Sequence, residues 1–487
     1  MLFNSLEFTL FIPIVFLLYW FAFQKNTRHQ NIFLVISSYV FYGWWDERFL
    51  ILIFLSTVSD FWIAQQIGQS TNKRLKRKWL YLSLFVNLGV LGFFKYFNFF
   101  SKSFTDAFTI LGQTPSDPLL LNIILPVGIS FYTFQTLSYS LDVYQDKLKP
   151  TQDFISFTAY VSFFPQLVAG PIERANHLLP QFQKGRAFSY DKATDGMRQI
   201  LWGLFKKVVI ADNCAEYANL IFSNYEDYST SSLWLGAIFF SFQIYGDFSG
   251  YSDIAIGLSR LFGFELMQNF STPYFSRDIA EFWRRWHISL SSWFRDYLYI
   301  PLGGSRGGTY QKIRNVFIIF IVSGFWHGAS WNFIIWGTLN ALFILPLVLF
   351  QLNRNHLTIV ASNRRFPSIK EVGQMSFTFF LTLIAWVFFR SESLTDAFQY
   401  LQGMFTFSGN IIPTQQLFDA TSLSIKKLFL LIVIFLWMEW INREKRHTLE
   451  KFGTTWPRII RFGFYYCLLI FIFMYSGDEQ EFIYFQF

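Results

Sequence analysis

NVFIIFIVSGFWHGASWNFIIWGTLNALFILPLVLF, residues 315–350, contains no Asp, Glu, Lys or Arg. A helix rises about 1.5 Å per residue, so about 20 such residues cross a hydrocarbon core of roughly 30 Å. The stretch reads as two consecutive spans, 315–336 and 337–352, and it fixes the solvent of the fold as lipid. One titratable side chain, His327, stands inside it among glycines, serines and tryptophans.

The same pattern recurs on both sides of this stretch. Apolar runs predict further spans near 6–23, 31–45, 49–66, 79–100, 119–140, 152–168, 198–212, 232–260, 373–390, 426–441 and 462–476. Of the 487 residues 53% are hydrophobic, 22% aromatic and only 15% charged, whereas a soluble domain carries about 25% charged residues. The expected class is therefore all-α and polytopic, a multi-pass protein of the inner (cytoplasmic) membrane in contact with membrane lipids. Residues 1–476 read as a single membrane domain, followed by an extracytoplasmic aromatic tail over 477–487. The first run, Phe8 to Phe23, has no basic residues before it and no small-residue cleavage site after it, which reads as a retained span.

A net charge of +8 could suggest nucleic acid, but the basic residues cluster in short loops between apolar runs, where they set orientation. Arg277, Arg284, Arg285, Arg295, Arg306, Lys312 and Arg314 place 275–314 in the cytoplasm. The spans that follow then alternate and leave the tail outside. His327 falls some twelve residues, or ~18 Å, along an outward-going span. Cys214 and Cys467 offer neither a disulfide framework nor metal-ligand spacing, and no metal site is expected.

An ionisable side chain within a span is costly and marks a functional site by default. At helical spacing His327 is neighboured by Ser323, Gly324, Ser330 and Trp331. That face carries hydroxyls, an indole and room for a ligand; the plainer reading is a histidine bonded across helices. In EFWRRWHISLSSWFRDYLYIPLGG, 281–304, the apolar period predicts an amphipathic helix with His287 on its apolar face. It reads equally as an interfacial helix or as a second wall of the same cavity. PLGGSRGGTYQKIR, 301–314, lacks the ending of a phosphate loop; Arg306 could meet the phosphates of a nucleotide-bearing donor or merely fix topology. QIYGDFSGYSDIAIG, 243–257, holds Asp247 and Asp253 among small residues, as proton-handling carboxylates or as helix-packing groups. The tail segment FIYFQF is too apolar to trail in water and too short to span, so it is expected to fold back, with Tyr484 either presenting a hydroxyl or serving in a plug.

At FFPQLVAGPIERANHLLPQF, 163–182, at WRRWHISLSSWFRDYLYIPLGG and at SGFWHGASWNFIIWG the chain resembles the membrane-bound O-acyltransferase (MBOAT) family. The likeness is strongest to the bacterial branch that O-acetylates alginate and other exported or cell-wall polysaccharides. The resemblance implies a ring of tilted helices around a central tunnel, with His327 at the family's invariant histidine and His287 at its second, more variable polar position. It also implies acetyl-CoA as the cytoplasmic acyl donor and an extracytoplasmic polysaccharide as acceptor, with no bound cofactor. A separate extracytoplasmic acetyltransferase would be the partner, and Tyr484 the acyl relay. Histidine titrates near neutrality, which suits the base that thioester-to-hydroxyl transfer needs. Two other readings compete. One is a secondary transporter or exporter of polysaccharide precursors with a proton-relay histidine, which would favour inverted repeats that are not evident here. The other is a lipid-modifying acyltransferase of the same family.

Overall fold

A computed structural model of the protein describes residues 1–113, 117–168, 170–406, 423–476, 480 and 482–483. The fold is all-helical, 72% helix, and no strand occurs among the described residues. Among the described residues four helices are long and apolar enough to cross a membrane: Arg48–Gln69, the continuous run Lys73–Ile110, Trp331–Leu349 and Ile369–Arg390. Large apolar side chains such as Phe85, Ile110 and Phe473 stand almost fully exposed, an exterior that suits acyl chains and not water. The protein is a polytopic membrane protein.

The chain forms two compact units, residues 1–193 with 259–267, and 194–258 with 268–487. In the first, Asp60 is buried and accepts hydrogen bonds from Ser83 at 2.8 Å, Asn87 at 2.9 Å and Ser140 at 3.3 Å. Thr136 adds a bond to Asn87 at 3.0 Å. This cluster joins the helices Arg48–Gln69, Lys73–Leu91 and Ile129–Tyr144, the polar glue expected where apolar faces alone give little drive to associate. The span expected at 119–140 is half wrong. Residues 117–128 are not helical, and the helix begins only at Ile129, after Pro126 and a left-handed Gly128 at φ 75°. A side chain at Gly128 would meet the Leu167 carbonyl oxygen at 2.6 Å. In the 163–182 segment the buried Glu173 accepts from the Met267 amide and pairs with His177 Nδ1 at 2.8 Å. That carboxylate holds the His177 pKa above the usual imidazole value.

The second unit is built on the 32-residue helix Thr230–Leu261. Its Gly250 lies against the Gly203 carbonyl, 2.8 Å from where a Cβ would be, and Gly246 against the Lys206 carbonyl at 2.9 Å. Only glycine permits this approach, and it brings Lys206 and Lys207 beside the long helix. The 243–257 stretch therefore does pack closely, but its carboxylates form ion pairs that its small residues did not suggest: Lys206 with Asp253 at 2.6 Å and Lys207 with Asp247 at 2.8 Å.

Candidate active site

His327 lies at a helix end and not midway along a span. The helices Thr309–His327 and Trp331–Leu349 form a hairpin around residues 328–330, so the division into spans 315–336 and 337–352 is corrected by several residues. Gly328 leaves the helix in extended backbone, and Ser330 caps the next helix, its Oγ accepting from the Asn332 amide at 3.3 Å. Gly324 and Gly337 let the two backbones touch. A Cβ at Gly324 would fall 2.1 Å from the Phe333 carbonyl oxygen, and one at Gly337 2.2 Å from that of Phe320. Neither proline nor charge marks the turn, which is why apolar periodicity runs through it unbroken.

The His327 imidazole is 4% exposed. Three rings meet it edge-on: Trp326 at 4.9 Å, Trp336 at 5.1 Å and Phe389 at 5.3 Å between centroids. Ser323, one turn earlier on the same helix, is also buried.

His287 breaks the amphipathic helix expected over 281–304. Ile279–Arg285 and Ile288–Phe294 are separate helices, each about 10 Å long and too short to cross a membrane. Between them His287 is left-handed at φ 43°. A non-glycine residue held there costs on the order of 1–3 kcal/mol and persists only where its surroundings over-determine it. The surroundings here are Asn269. Its carbonyl accepts from the Ile288 amide at 2.9 Å, and its Oδ1 accepts from the Ser289 amide at 3.3 Å and hydroxyl at 2.9 Å. Asn269 Nδ2 in turn donates to Ser252 Oγ at 2.9 Å. The buried His287 ring lies 4.6 Å from Phe248 and 6.0 Å from Trp326.

The two histidines, 40 positions apart in sequence, thus share Trp326 as a common neighbour. The other residues singled out from sequence scatter. Ser330 is occupied as a helix cap, and Trp331 opens the second hairpin helix with 53% of its surface exposed. Arg306 is exposed in the turn before Thr309, beyond the far end of the helix Thr309–His327, which is itself about 27 Å long. Tyr484 lies outside the described residues. Just before it, Phe482 and Ile483 are fully buried, and the Phe482 ring sits 6.0 Å from Phe248. Sequence reasoning missed Trp326, Trp336, Phe389 and Phe248 as the rings packed on the two histidines, and Asn269 as the clamp on His287. An aromatic residue in a 22% aromatic chain carries no signal of its own. Among the described residues no group of three His, Cys, Asp or Glu side chains is placed to hold a metal ion.

Comparison with known proteins gives the chain its family. The chain is 43% identical over 409 residues to the probable alginate O-acetylase AlgI of Pseudomonas aeruginosa, covering 84% of this chain and 75% of that one. It is 37% identical to the protein of the same name from Pseudomonas putida, over the full length of both. To the peptidoglycan O-acetyltransferase of Helicobacter pylori it is 33% identical, over 100% of this chain and 98% of the relative. The profile of the membrane-bound O-acyltransferase family matches residues 48–389, which include both histidines and all the rings around them, and the chain belongs to that family of acyltransferases.

Proposed function

We propose that this enzyme takes acetyl groups from acetyl-CoA at the cytoplasmic face of the inner membrane and passes them outward for O-acetylation of an extracytoplasmic polysaccharide. The polymer is of the alginate or cell-wall kind named for the relatives. One observation carries the reading: His327 and His287 are both buried and both lie against the same indole, Trp326. In this reading His327 is the general base. It accepts the proton as the acceptor hydroxyl oxygen bonds to the acetyl carbon; the carbon–sulfur bond breaks, and the CoA thiolate leaves with the proton that His327 returns. His287, neutral, donates an N–H toward the carbonyl oxygen as negative charge gathers there, the kind of fixed dipole that lowers such barriers most. Water is excluded by the rings, which protects the thioester from hydrolysis.

The acceptor hydroxyl at the enzyme is that of Tyr484, which relays the acetyl group to a separate extracytoplasmic acetyltransferase. Supporting this is the burial of Phe482 and Ile483 immediately before it. Arg306 and its basic neighbours are left to meet the donor phosphates in the cytoplasm. The test is His327→Ala in membranes supplied with radiolabelled acetyl-CoA. Transfer of label to polysaccharide is expected to fall by about 10²–10⁴, the usual weight of a general base, while the protein accumulates normally. Label incorporation at the wild-type rate overturns the assignment. Tyr484→Phe, which removes only the hydroxyl, is expected to abolish label on the polymer.

A further inference from the structure

Residues Phe205–Ala211 are wound as a π-helix, a wide turn often found at functional sites, and they aim two successive lysines at two carboxylates of the neighbouring helix. Lys206 is satisfied by Asp253. Lys207 has a different set of partners. Its Nζ, 1% exposed, meets Asp212 at 2.7 Å, Asp247 at 2.8 Å and the backbone carbonyl of Gln480 at 3.0 Å. Asp247 Oδ2 then accepts from the backbone amide of Ile483 at 2.7 Å. A third main-chain contact comes from Asn213, whose Nδ2 donates to the Tyr475 carbonyl at 3.0 Å.

Lys207 lies between Asp212 and Asp247, and Asp247 in turn accepts from a backbone amide of the tail; hydrogen bonds to ionised groups are roughly twice as strong as neutral ones. The side chain between these contacts is read as well. Phe482 is 0% exposed and lies 4.3 Å from the Tyr251 ring and 6.0 Å from that of Phe248, and Phe248 packs on His287.

The geometry points to an internal peptide-docking site in which Asn213, Lys207 and Asp247 grip the main chain at Tyr475, Gln480 and Ile483 while Tyr251 and Phe248 take Phe482. The occupant is the chain's own C-terminal segment, bound as a peptide ligand would be. Main-chain contacts leave the intervening sequence free, whereas a single aromatic side chain fixes the register. Lys207 and Asp247 are thereby positioning residues, setting where the residues after Ile483 begin relative to His287. The docking stands on these contacts alone; its consequence for transfer rests on the proposed function.

Carboxypeptidase digestion of the full-length protein, followed by intact mass, tests the site without any measure of activity. Trimming of the wild type is expected to stall at or before Ile483. Phe482→Ala and Asp247→Asn should carry trimming past residue 477 at least about tenfold faster, because cleavage follows the population of the released form. The Phe482 change lies within the tail itself and cannot unfold the helices. His327→Ala, inactive by the proposed function, should keep the wild-type stall, so loss of activity and loss of docking separate. Trimming of the wild type past Ile483 as fast as in Phe482→Ala overturns the site, and so does a stall that neither variant relieves.

Discussion

The second unit holds two kinds of buried polar group. Around His327 and His287 the described neighbours are the aromatic rings of Trp326, Trp336, Phe389 and Phe248. Around Lys206 and Lys207 they are carboxylate oxygens, at 2.6–2.8 Å. A neutral imidazole tolerates a dry wall, while a buried ammonium must have its counter-charge at hand. The difference separates what a reaction needs from what a fixed joint needs. A base locked in an ion pair exchanges protons less freely, whereas paired buried charges suit a joint that must stay in one place.

The two regions should break in opposite ways. Lys207→Met leaves Asp212 and Asp247 without their cation, and stranding buried charge costs about 3–5 kcal/mol. A large fall in thermal stability in detergent is expected, partly recovered when Asp247→Asn is added. His327→Ala should change the thermal transition by little and remove transfer. Equal stability losses in the two variants would erase the distinction between joint and pocket.

Asn269 stands between these cases, because it is a structural clamp whose load is a site residue. Asn269→Ala strips the Ser289 amide and hydroxyl of their acceptor, which costs about 1–3 kcal/mol for a buried group left unpaired. The left-handed turn at His287 then loses one of the restraints that hold it. Transfer should fall by more than the loss of folded protein accounts for, since displacement of a site group by ~1 Å can cost on the order of 10²-fold. Specific activity per folded molecule, measured beside the thermal transition, checks this. If it stays at the wild-type value, His287 needs no such restraint.

Sequence reading reached the class and the family, because the apolar runs and the motifs are long, and it singled out the two histidines that the structure sets against one indole, because a polar residue in an apolar run stands out. It failed where the chain changes direction without punctuation. The turns at 286–287 and 328–330 carry residues that a helix also accepts, and apolar positions on both sides of each face the same interior. Periodicity therefore continues across the break. Lys206 and Lys207 were absorbed into a span because what neutralises them, Asp247 and Asp253, lies some 40 positions on, and no local pattern couples the two. The pocket walls were hidden for a different reason: Trp326 and Phe248 differ from the many other aromatic residues only by position in space.

Ser330 gives the smallest effect and a sharp distinction. At helical spacing it seemed a neighbour of His327, but its hydroxyl is the N-cap of Trp331–Leu349. Ser330→Ala should therefore lower stability by about 1 kcal/mol, the usual worth of a cap, with activity per folded molecule unchanged. Ser330→Asp supplies another capping oxygen and should restore the stability. The aspartate differs from serine in having no proton to donate at neutral pH and in carrying a charge. If the hydroxyl acts on the acyl group, both variants lose specific activity and the aspartate loses more; if it only ends the turn after His327, the aspartate protein works as the wild type does.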